Sequence, residues 1–266
     1  MKRLVLIVAV LAVCAMPLAA LADWCWCDPD PNTKFFQRPD PTGWDVRVTT
    51  PKTLADDFEC KETGWITDIH FWCSWKGDIV GTIDTLYLTI YSDVPQTCPE
   101  DYSKPGKDLW SAEIDPASYS GQVTIREDDF VDQGWYDPNT QEYARHDHDI
   151  LWQVNIYLDE QDWFEQRGTP DEPVIYWLGI SADVSSPAGA DADFGWKTSY
   201  ENKAPDTAVW SDDGMSWSRL LDPCFEDPEE PLNLAFVITG IPIPEPSVFL
   251  LGGFGLLALL RLRRRK

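Results

Sequence analysis

The sequence predicts an all-β protein, an antiparallel β-sandwich of jelly-roll-like type. Apolar and polar residues alternate with period two in five separate segments. No window of comparable length shows helical spacing beyond a turn or two around residues 159–166, and the 21 prolines fall mostly between the segments, among many Asp, Asn and Gly residues. Alternation with period two is typical of half-buried strands, and short strands joined by long polar loops favour a sandwich over a simple meander.

Each of the five segments has one apolar face, which we expect to form the core. In residues 66–75 the alternation places Trp72 on the face opposite that core. The residues predicted to face inward are Ile69, Phe71, Cys73 and Trp75; Leu86, Leu88 and Ile90; Ile150, Trp152, Val154, Ile156 and Leu158; Val174, Tyr176, Leu178 and Ile180; and Leu232, Leu234, Phe236 and Ile238.

The N-terminus has the pattern of a secretory signal peptide over residues 1–22. A short basic start, Met1-Lys2-Arg3, precedes an apolar run from Leu4 to Val13, and Ala20-Leu21-Ala22 is a small-residue cleavage site. The apolar run is shorter than the ~20 residues that a bilayer span needs. Cleavage after Ala22 is therefore favoured over a retained signal anchor.

The C-terminal 26 residues, 241–266, have a different composition from the domain predicted over residues 23–240. Pro244-Glu245-Pro246 is followed by an apolar stretch, residues 247–260, and then by a basic tip that contains Arg261, Arg263, Arg264 and Arg265. The stretch predicts a short transmembrane helix whose basic tip stays on the cytoplasmic side. Because stable spans need ~17 to 25 residues, this helix suits a transient hold. A plain C-terminal membrane anchor is the alternative.

Two resemblances add to this interpretation. The segments LADDFEC (54–60), GWITDIHFWCSW (64–75), GWYDPNTQEY (134–143), VIYWLGI (174–180), DFGWKTS (193–199) and LAFVITG (234–240) together resemble an uncharacterised domain of exported bacterial proteins. The tail resembles the PEP-CTERM sorting signal. The second resemblance implies that an exosortase, a membrane-embedded enzyme similar to cysteine peptidases, removes the tail near Pro244-Glu245-Pro246; the first implies no activity.

Charge and cysteine content agree with export. The chain has 21 Lys and Arg against 45 Asp and Glu, for a net charge of −24, so nucleic-acid binding is excluded. Without Cys14 of the signal peptide, six cysteines remain, which predicts up to three disulfides with unassigned pairing. A zinc site is disfavoured, because no C-x-x-C pair occurs.

Candidate metal ligands lie in two stretches. In Arg145-His146-Asp147-His148-Asp149 the two histidines would face one side of an extended strand, as ligands of one metal ion could; a solvated loop is the alternative. Asp191 and Asp193 could hold a calcium ion, although their spacing is not that of an EF-hand. No other cofactor is indicated.

Residues 212–217, DDGMSW, resemble the Asp-box turn of sialidases. Those enzymes have several copies of the motif and this chain has one, so we interpret the stretch as a tight hairpin turn. With 45 acidic residues, no pair of carboxylates can be singled out for glycoside hydrolysis.

Fourteen tryptophans suggest sugar stacking as a second function. The predicted sugar-binding residues are Trp72, Trp135, Tyr136, Trp163 and Trp196. The competing interpretation is that most tryptophans belong to the core.

Three functions from different classes therefore remain. The favoured one is a non-catalytic exported protein of the cell envelope, cell surface or extracellular matrix, with signal peptidase and exosortase as partners during export. The second is a carbohydrate-binding module that contacts extracellular polysaccharide. The third is a metal-dependent hydrolase built on His146 and His148.

Overall fold

The computed structural model describes residues 31–98, 101–226 and 229–243. Two short 3-10 helices, Lys76–Asp78 and Glu160–Asp162, interrupt an otherwise all-β chain. The strands are β1 Thr33–Gln37, β2 Trp44–Arg47, β3 Thr53–Cys60, β4 Gly64–Trp75, β5 Thr82–Val94, β6 Lys104–Ile114, β7 Gln122–Asp137, β8 Glu142–Tyr157, β9 Phe164–Gln166, β10 Val174–Ser185, β11 Phe194–Ser199, β12 Val209–Ser211, β13 Ser218–Arg219, β14 Leu221–Glu226, β15 Glu229–Pro231, β16 Asn233–Leu234 and β17 Phe236–Pro242.

Most strands belong to one of two sheets. The large sheet has the order β1-β17-β4-β8-β7-β2-β11-β16, with β9 also paired with β4, and the small sheet has the order β13-β12-β3-β10-β5-β6. The chain crosses between the sheets repeatedly, from β3 to β4 to β5 and from β8 through β10 and β11 to β12. The predicted all-β sandwich is confirmed.

The main core lies between the two sheets and is formed by the predicted inward faces. It contains Phe71 and Cys73 of β4, Leu88 of β5, Leu178 of β10 and Phe236 of β17, all fully buried. Aromatic rings pack closely there; the centroids of Phe35 and Phe236 are 4.8 Å apart. Period-two alternation therefore identified the buried faces of β4, β5 and β17 correctly, whereas Val174 of β10 and Ile150 of β8, also predicted to face inward, lie outside the core.

Five strands of the large sheet close on themselves. β4 pairs with β8, β8 with β7, β7 with β2, β2 with β11, and β11 again with β4. The β2–β7 pairing is parallel, and the other four are antiparallel. We call these five strands the strand ring.

The described cysteines do not form the predicted disulfides: Cys60, Cys73, Cys98 and Cys224 are free thiols. Cys73 is sealed in the core, whereas Cys98 is exposed in the loop after β5, so these two are not neighbours. Burial raises the pKa of the Cys73 thiol well above its usual value. Cys25 and Cys27 lie outside the described residues.

No helix in residues 31–98, 101–226 and 229–243 is long and apolar enough to cross a membrane. The predicted signal peptide and the predicted C-terminal helix both lie outside those ranges.

Candidate functional site

Polar side chains from four strands of the ring meet inside it. We call Asp45 (β2), Gln133 (β7), Asp147 and His148 (β8) and Lys197 (β11) the ring cluster. The register explains the meeting, because Lys197 lies opposite Asp45 and Gln133 lies opposite His148. Directly opposed residues point to the same face of a sheet. Asp45 and Lys197 are fully buried, and Gln133 and His148 nearly so.

Lys197 is the central donor of the ring cluster. Its Nζ donates to Asp45 Oδ2 at 2.9 Å, to Gln133 Oε1 at 2.8 Å and to the Gly43 carbonyl at 3.0 Å. These three acceptors satisfy all three N–H groups of the ammonium. Burial lowers the pKa of Lys197, and the Asp45 carboxylate offsets part of that effect.

His148 bridges two carboxylates. Its Nε2 lies 3.0 Å from Asp45 Oδ2, and its Nδ1 lies 3.0 Å from Asp147 Oδ2. Burial by itself would lower the pKa of the imidazole, but the hydrogen bonds to Asp147 and Asp45 outweigh it and raise the pKa to about 9. At neutral pH both ring nitrogens are therefore protonated and donate.

The ring cluster is balanced in charge. Two cations, Lys197 and His148, face two carboxylates, Asp45 and Asp147. Asp147 also accepts a hydrogen bond from the Gly77 backbone N–H at 2.7 Å. Against the effect of burial, the bonds from His148 and Gly77 lower the pKa of Asp147. Because a protonated imidazolium has no free lone pair, His148 in this state is neither a metal ligand nor a general base.

Three polar atoms beside this network have no hydrogen-bond partner. They are Asp45 Oδ1, Gln133 Nε2 and Trp135 Nε1, all buried. The Trp135 ring contacts His148 edge-on at 6.5 Å between centroids. An unpaired buried donor or acceptor costs about 1–3 kcal/mol, so two donors and one acceptor are left with unused binding capacity.

The predicted metal ligands do not converge. His146 lies outside the ring, with an exposed side chain that pairs with Asp132, whereas His148 points inside. The prediction that both face one side is wrong, because His146 has a φ of 58° and the β7–β8 register is irregular there. Among the described residues, no three His, Cys, Asp or Glu side chains are placed to hold a metal ion together.

The predicted calcium ligands have other partners or none. Asp193 Oδ1 accepts from Arg47 Nε at 2.9 Å, and Asp191 is exposed. The DDGMSW stretch forms the predicted hairpin, in which Val209 pairs with Arg219. Asp213 Oδ1 accepts from the backbone N–H groups of Met215 and Ser216, which accounts for the aspartate in that turn.

The expectation that the five predicted sugar-binding aromatics are exposed is wrong for four of them. Trp72, Trp135, Tyr136 and Trp196 are between 0% and 3% exposed. Trp72 does lie on the face away from the main core, but a second cluster with Leu151 and Val237 covers it. Trp163 is half-buried against the main core. The four buried rings therefore present no open face for a sugar.

A surface groove opens beside the ring cluster. Its first part is a cavity of about 490 Å³ whose lining residues include Asp40, Gly43, Trp44, Gln133 and Asp222. Two adjoining cavities, of about 490 and 330 Å³, extend it; their lining includes Tyr143, Arg145, Pro223, Cys224 and Phe225. We call the three cavities together the ring groove.

Sequence reasoning missed the ring cluster. Asp45, Gln133 and Lys197 come from segments up to 152 residues apart in the chain, and no local motif connects them. The available signal was Lys197 in FGWKTS, a charged residue that directly follows the aromatic Phe194 and Trp196 in a short strand. A lysine in such a position needs buried partners.

The fold and the tail together define a class: exported β-sandwich proteins that carry a C-terminal sorting motif. Residues 33–239 match a family described as a domain of unknown function, DUF7901, and residues 242–266 match the PEP-CTERM protein-sorting motif. The chain belongs to the DUF7901 family. The sorting motif indicates an exported protein that is sorted to the cell envelope and processed by an exosortase. No curated protein and no solved structure matches the chain.

Proposed function

We propose that this protein is a non-catalytic component of the cell envelope, the cell surface or the extracellular matrix, and that it acts by binding rather than by transforming a substrate. The observation that supports this proposal most strongly is the hydrogen bonding and protonation of His148. Its two nitrogens donate to Asp45 and Asp147, and its pKa is raised to about 9. The residue that a hydrolase would need as ligand or base is thus occupied as a structural cation.

The placement of the other predicted ligands also supports a binding role. His146 and His148 lie on opposite sides of the ring wall, and Asp193 is paired with Arg47. A catalytic zinc site needs three converging protein ligands and an open position. The hydrolase interpretation would require these side chains to leave their present partners.

A direct test is incubation of the protein with purified extracellular polysaccharide. We expect no release of soluble oligosaccharide above that of a heat-treated sample, with or without added Zn²⁺ or Ca²⁺. Release that is lost in His148→Gln, a variant that cannot take up a proton, would contradict the non-catalytic proposal.

We further propose the processing scheme that the sequence predicts: cleavage after Ala22, a folded domain over residues 23–240, and transient membrane insertion of residues 247–260 followed by cleavage near Pro244-Glu245-Pro246. The supporting features are the apolar stretch and the basic tip, since insertion depends on apolarity and flanking positive charge.

Mass spectrometry of the protein recovered from the envelope or the medium tests this scheme. We expect a mature chain that lacks both the first 22 residues and the basic tip. Replacing Pro244-Glu245-Pro246 by alanines should block cleavage and leave insertion intact, whereas neutralising Arg263, Arg264 and Arg265 should impair retention in the membrane. An intact C-terminus at Lys266 in the mature protein would favour the plain anchor instead.

A further inference from the structure

The three cavities of the ring groove adjoin one another. Arg145 lines both of the two larger cavities, and Asp222 and Pro223 connect them to the third. Each cavity alone has the size of a small-ligand site, about 300 to 1,000 Å³. Three adjoining cavities of this size have room for several units of a chain.

The wall of the groove contains a buried hydrogen-bond donor that is unused. Gln133 lines the first cavity, is 1% exposed, and its Nε2 has no partner. Its Oε1 accepts from Lys197 at 2.8 Å and from Ser74 Oγ at 3.3 Å, which fixes the orientation of the amide. A ligand oxygen at this position would relieve the cost of the unpaired N–H, so the donor favours a ligand that is rich in hydroxyl groups.

Exposed aromatic rings lie farther along the groove. Tyr143 is 49% exposed and Phe225 is 50% exposed, and both line the extending cavities. Trp44 supports Tyr143 from behind, with ring centroids 5.9 Å apart and planes at 82°. Trp44 is itself fixed by a 3.0 Å hydrogen bond from its Nε1 to Asp222 Oδ2. Tyr143 is therefore a half-exposed ring held by a buried neighbour, and exposed aromatic rings are the groups on which sugar rings stack.

The charge of the groove restricts the ligand further. Three carboxylates, Asp40, Asp132 and Asp222, line the first cavity with one guanidinium, that of Arg145. The whole chain has a net charge of −24. An acidic polymer would be repelled, whereas neutral or amine-bearing units would not.

The geometry points to the ring groove as a binding site for a non-acidic polysaccharide, with Tyr143 as the stacking platform and Gln133 Nε2 as a hydrogen-bond donor to a sugar hydroxyl. The inference rests on the proposed non-catalytic binding function and names its ligand class. It differs from the site predicted from the sequence, in which Trp72, Trp135 and Trp196 are buried.

Affinity electrophoresis in native gels tests this site, with protein purified from the envelope or medium of its producing cells. The gels contain a glucan, a galactan, a mannan, chitosan or alginate. We expect retardation by at least one of the first four polymers and none by alginate. Tyr143→Ala should weaken the retained interaction about three- to tenfold, while Tyr143→Phe, which keeps the ring, should bind like the unmodified protein.

Two further variants make the test specific. Gln133→Glu keeps an acceptor for Lys197 but removes the free donor, so binding should also weaken. Tyr87→Ala removes a partly exposed ring of the small sheet, away from the groove, and should have no effect on binding. The melting temperature of each variant, measured in parallel, separates loss of binding from loss of folding.

The inference is overturned if none of the four non-acidic polymers retards the protein, if only alginate does, or if folded Tyr143→Ala binds as tightly as Tyr143→Phe. Those results would leave the non-catalytic function standing with another ligand. Depolymerisation of a retarding glucan, galactan, mannan or chitosan would support the binding site but contradict the non-catalytic function.

Discussion

Two polar clusters in this protein handle charge in opposite ways. In the ring cluster, Asp45 and Asp147 are matched by Lys197 and His148. On the outer face of the small sheet, Asp57 and Asp93 lie near Asp206 without such a match, and we call these three residues the carboxyl cluster. Among the described residues, no Lys, Arg or His side chain forms an ion pair with Asp57 or Asp93.

Hydrogen bonds take the place of cations in the carboxyl cluster. The Asp206 backbone N–H donates to Asp57 Oδ1 at 3.1 Å, and Trp177 Nε1 donates to Asp93 Oδ1 at 2.9 Å. Burial, with the neighbouring carboxylates, raises the pKa of Asp57 to about 7. Beside a cation, as for Asp147, the pKa of the carboxyl is lowered despite burial, whereas without a cation, as for Asp57, burial raises it.

The largest expected effect on stability is that of Lys197→Met, which removes a cation from the ring cluster. The substitution keeps an unbranched side chain but leaves Asp45 buried beside one cation instead of two. Removing one partner of a buried ion pair costs about 3–5 kcal/mol, and we expect a loss of that size in the free energy of unfolding from urea titration. A loss below about 1 kcal/mol would show that the ring interior is wet and the cluster dispensable.

Two variants control for this result. Lys61→Met removes a lysine that is 60% exposed and paired with Glu59, and it should change stability by less than about 1 kcal/mol. Adding Asp45→Asn to Lys197→Met should restore part of the lost stability, because the unpaired carboxylate is then gone.

The second expected effect is a pH-dependent gain in stability for Asp57→Asn. The folded-state pKa of Asp57, about 7, lies above its unfolded-state value near 4, so this carboxyl is tolerated at low pH and destabilises the fold as the pH rises from about 4 through 7. Asparagine keeps an acceptor for the Asp206 N–H and never ionises. We expect the variant to be about 1–3 kcal/mol more stable than the unmodified protein at pH 8 and about equally stable at pH 4.

Asp213→Asn is the matched control with the opposite sign. Hydrogen bonds from the backbone of Ser216 and Met215 lower the pKa of Asp213, so its carboxylate stabilises the turn at neutral pH and loses that contribution only as the pH falls through its folded-state pKa. Stability should therefore decrease at pH 8 in Asp213→Asn. A gain at pH 8 that is the same in both variants would indicate relief of overall negative charge rather than a property of the carboxyl cluster.

The same comparison separates what the sequence could and could not predict. The inner faces of β4, β5 and β10 were predictable because burial with period two is a local property of each strand, as Phe71, Leu88 and Leu178 show. Closure of the strand ring was not predictable, since the parallel β2–β7 pairing and the pairing of β11 with β4 depend on contacts between distant segments. The ring cluster exists only after that closure.

The tryptophans illustrate the same limit. The alternation places Trp72 correctly on the face away from the main core, but exposure does not follow from facing away. On that face Leu151 and Val237 of neighbouring strands cover the ring, and its Nε1 donates to Asp128 at 2.8 Å. Conversely, Tyr143 and Phe225 gave no sequence signal as surface rings, because exposure depends on which strands become their neighbours.

The smallest expected effect on stability concerns His146, which the sequence analysis grouped with His148 as a candidate metal ligand. His146 is outside the ring, with a side chain 78% exposed and a φ of 58°, so its backbone conformation rather than its imidazole should determine its contribution. Asparagine adopts positive φ readily and β-branched residues do not.

We therefore expect His146→Asn to change the free energy of unfolding by less than about 0.5 kcal/mol and His146→Val to lower it by about 1–2 kcal/mol. Urea titration at pH 7 measures both, and the difference between the two variants isolates the backbone effect, since each of them removes the pairing with Asp132. Equal losses in both variants would mean that the His146 imidazole is itself important for stability. That result would extend the polar network of the ring cluster through the ring wall, and it would remove the distinction between an interior histidine held as a cation and an exterior one held by its backbone.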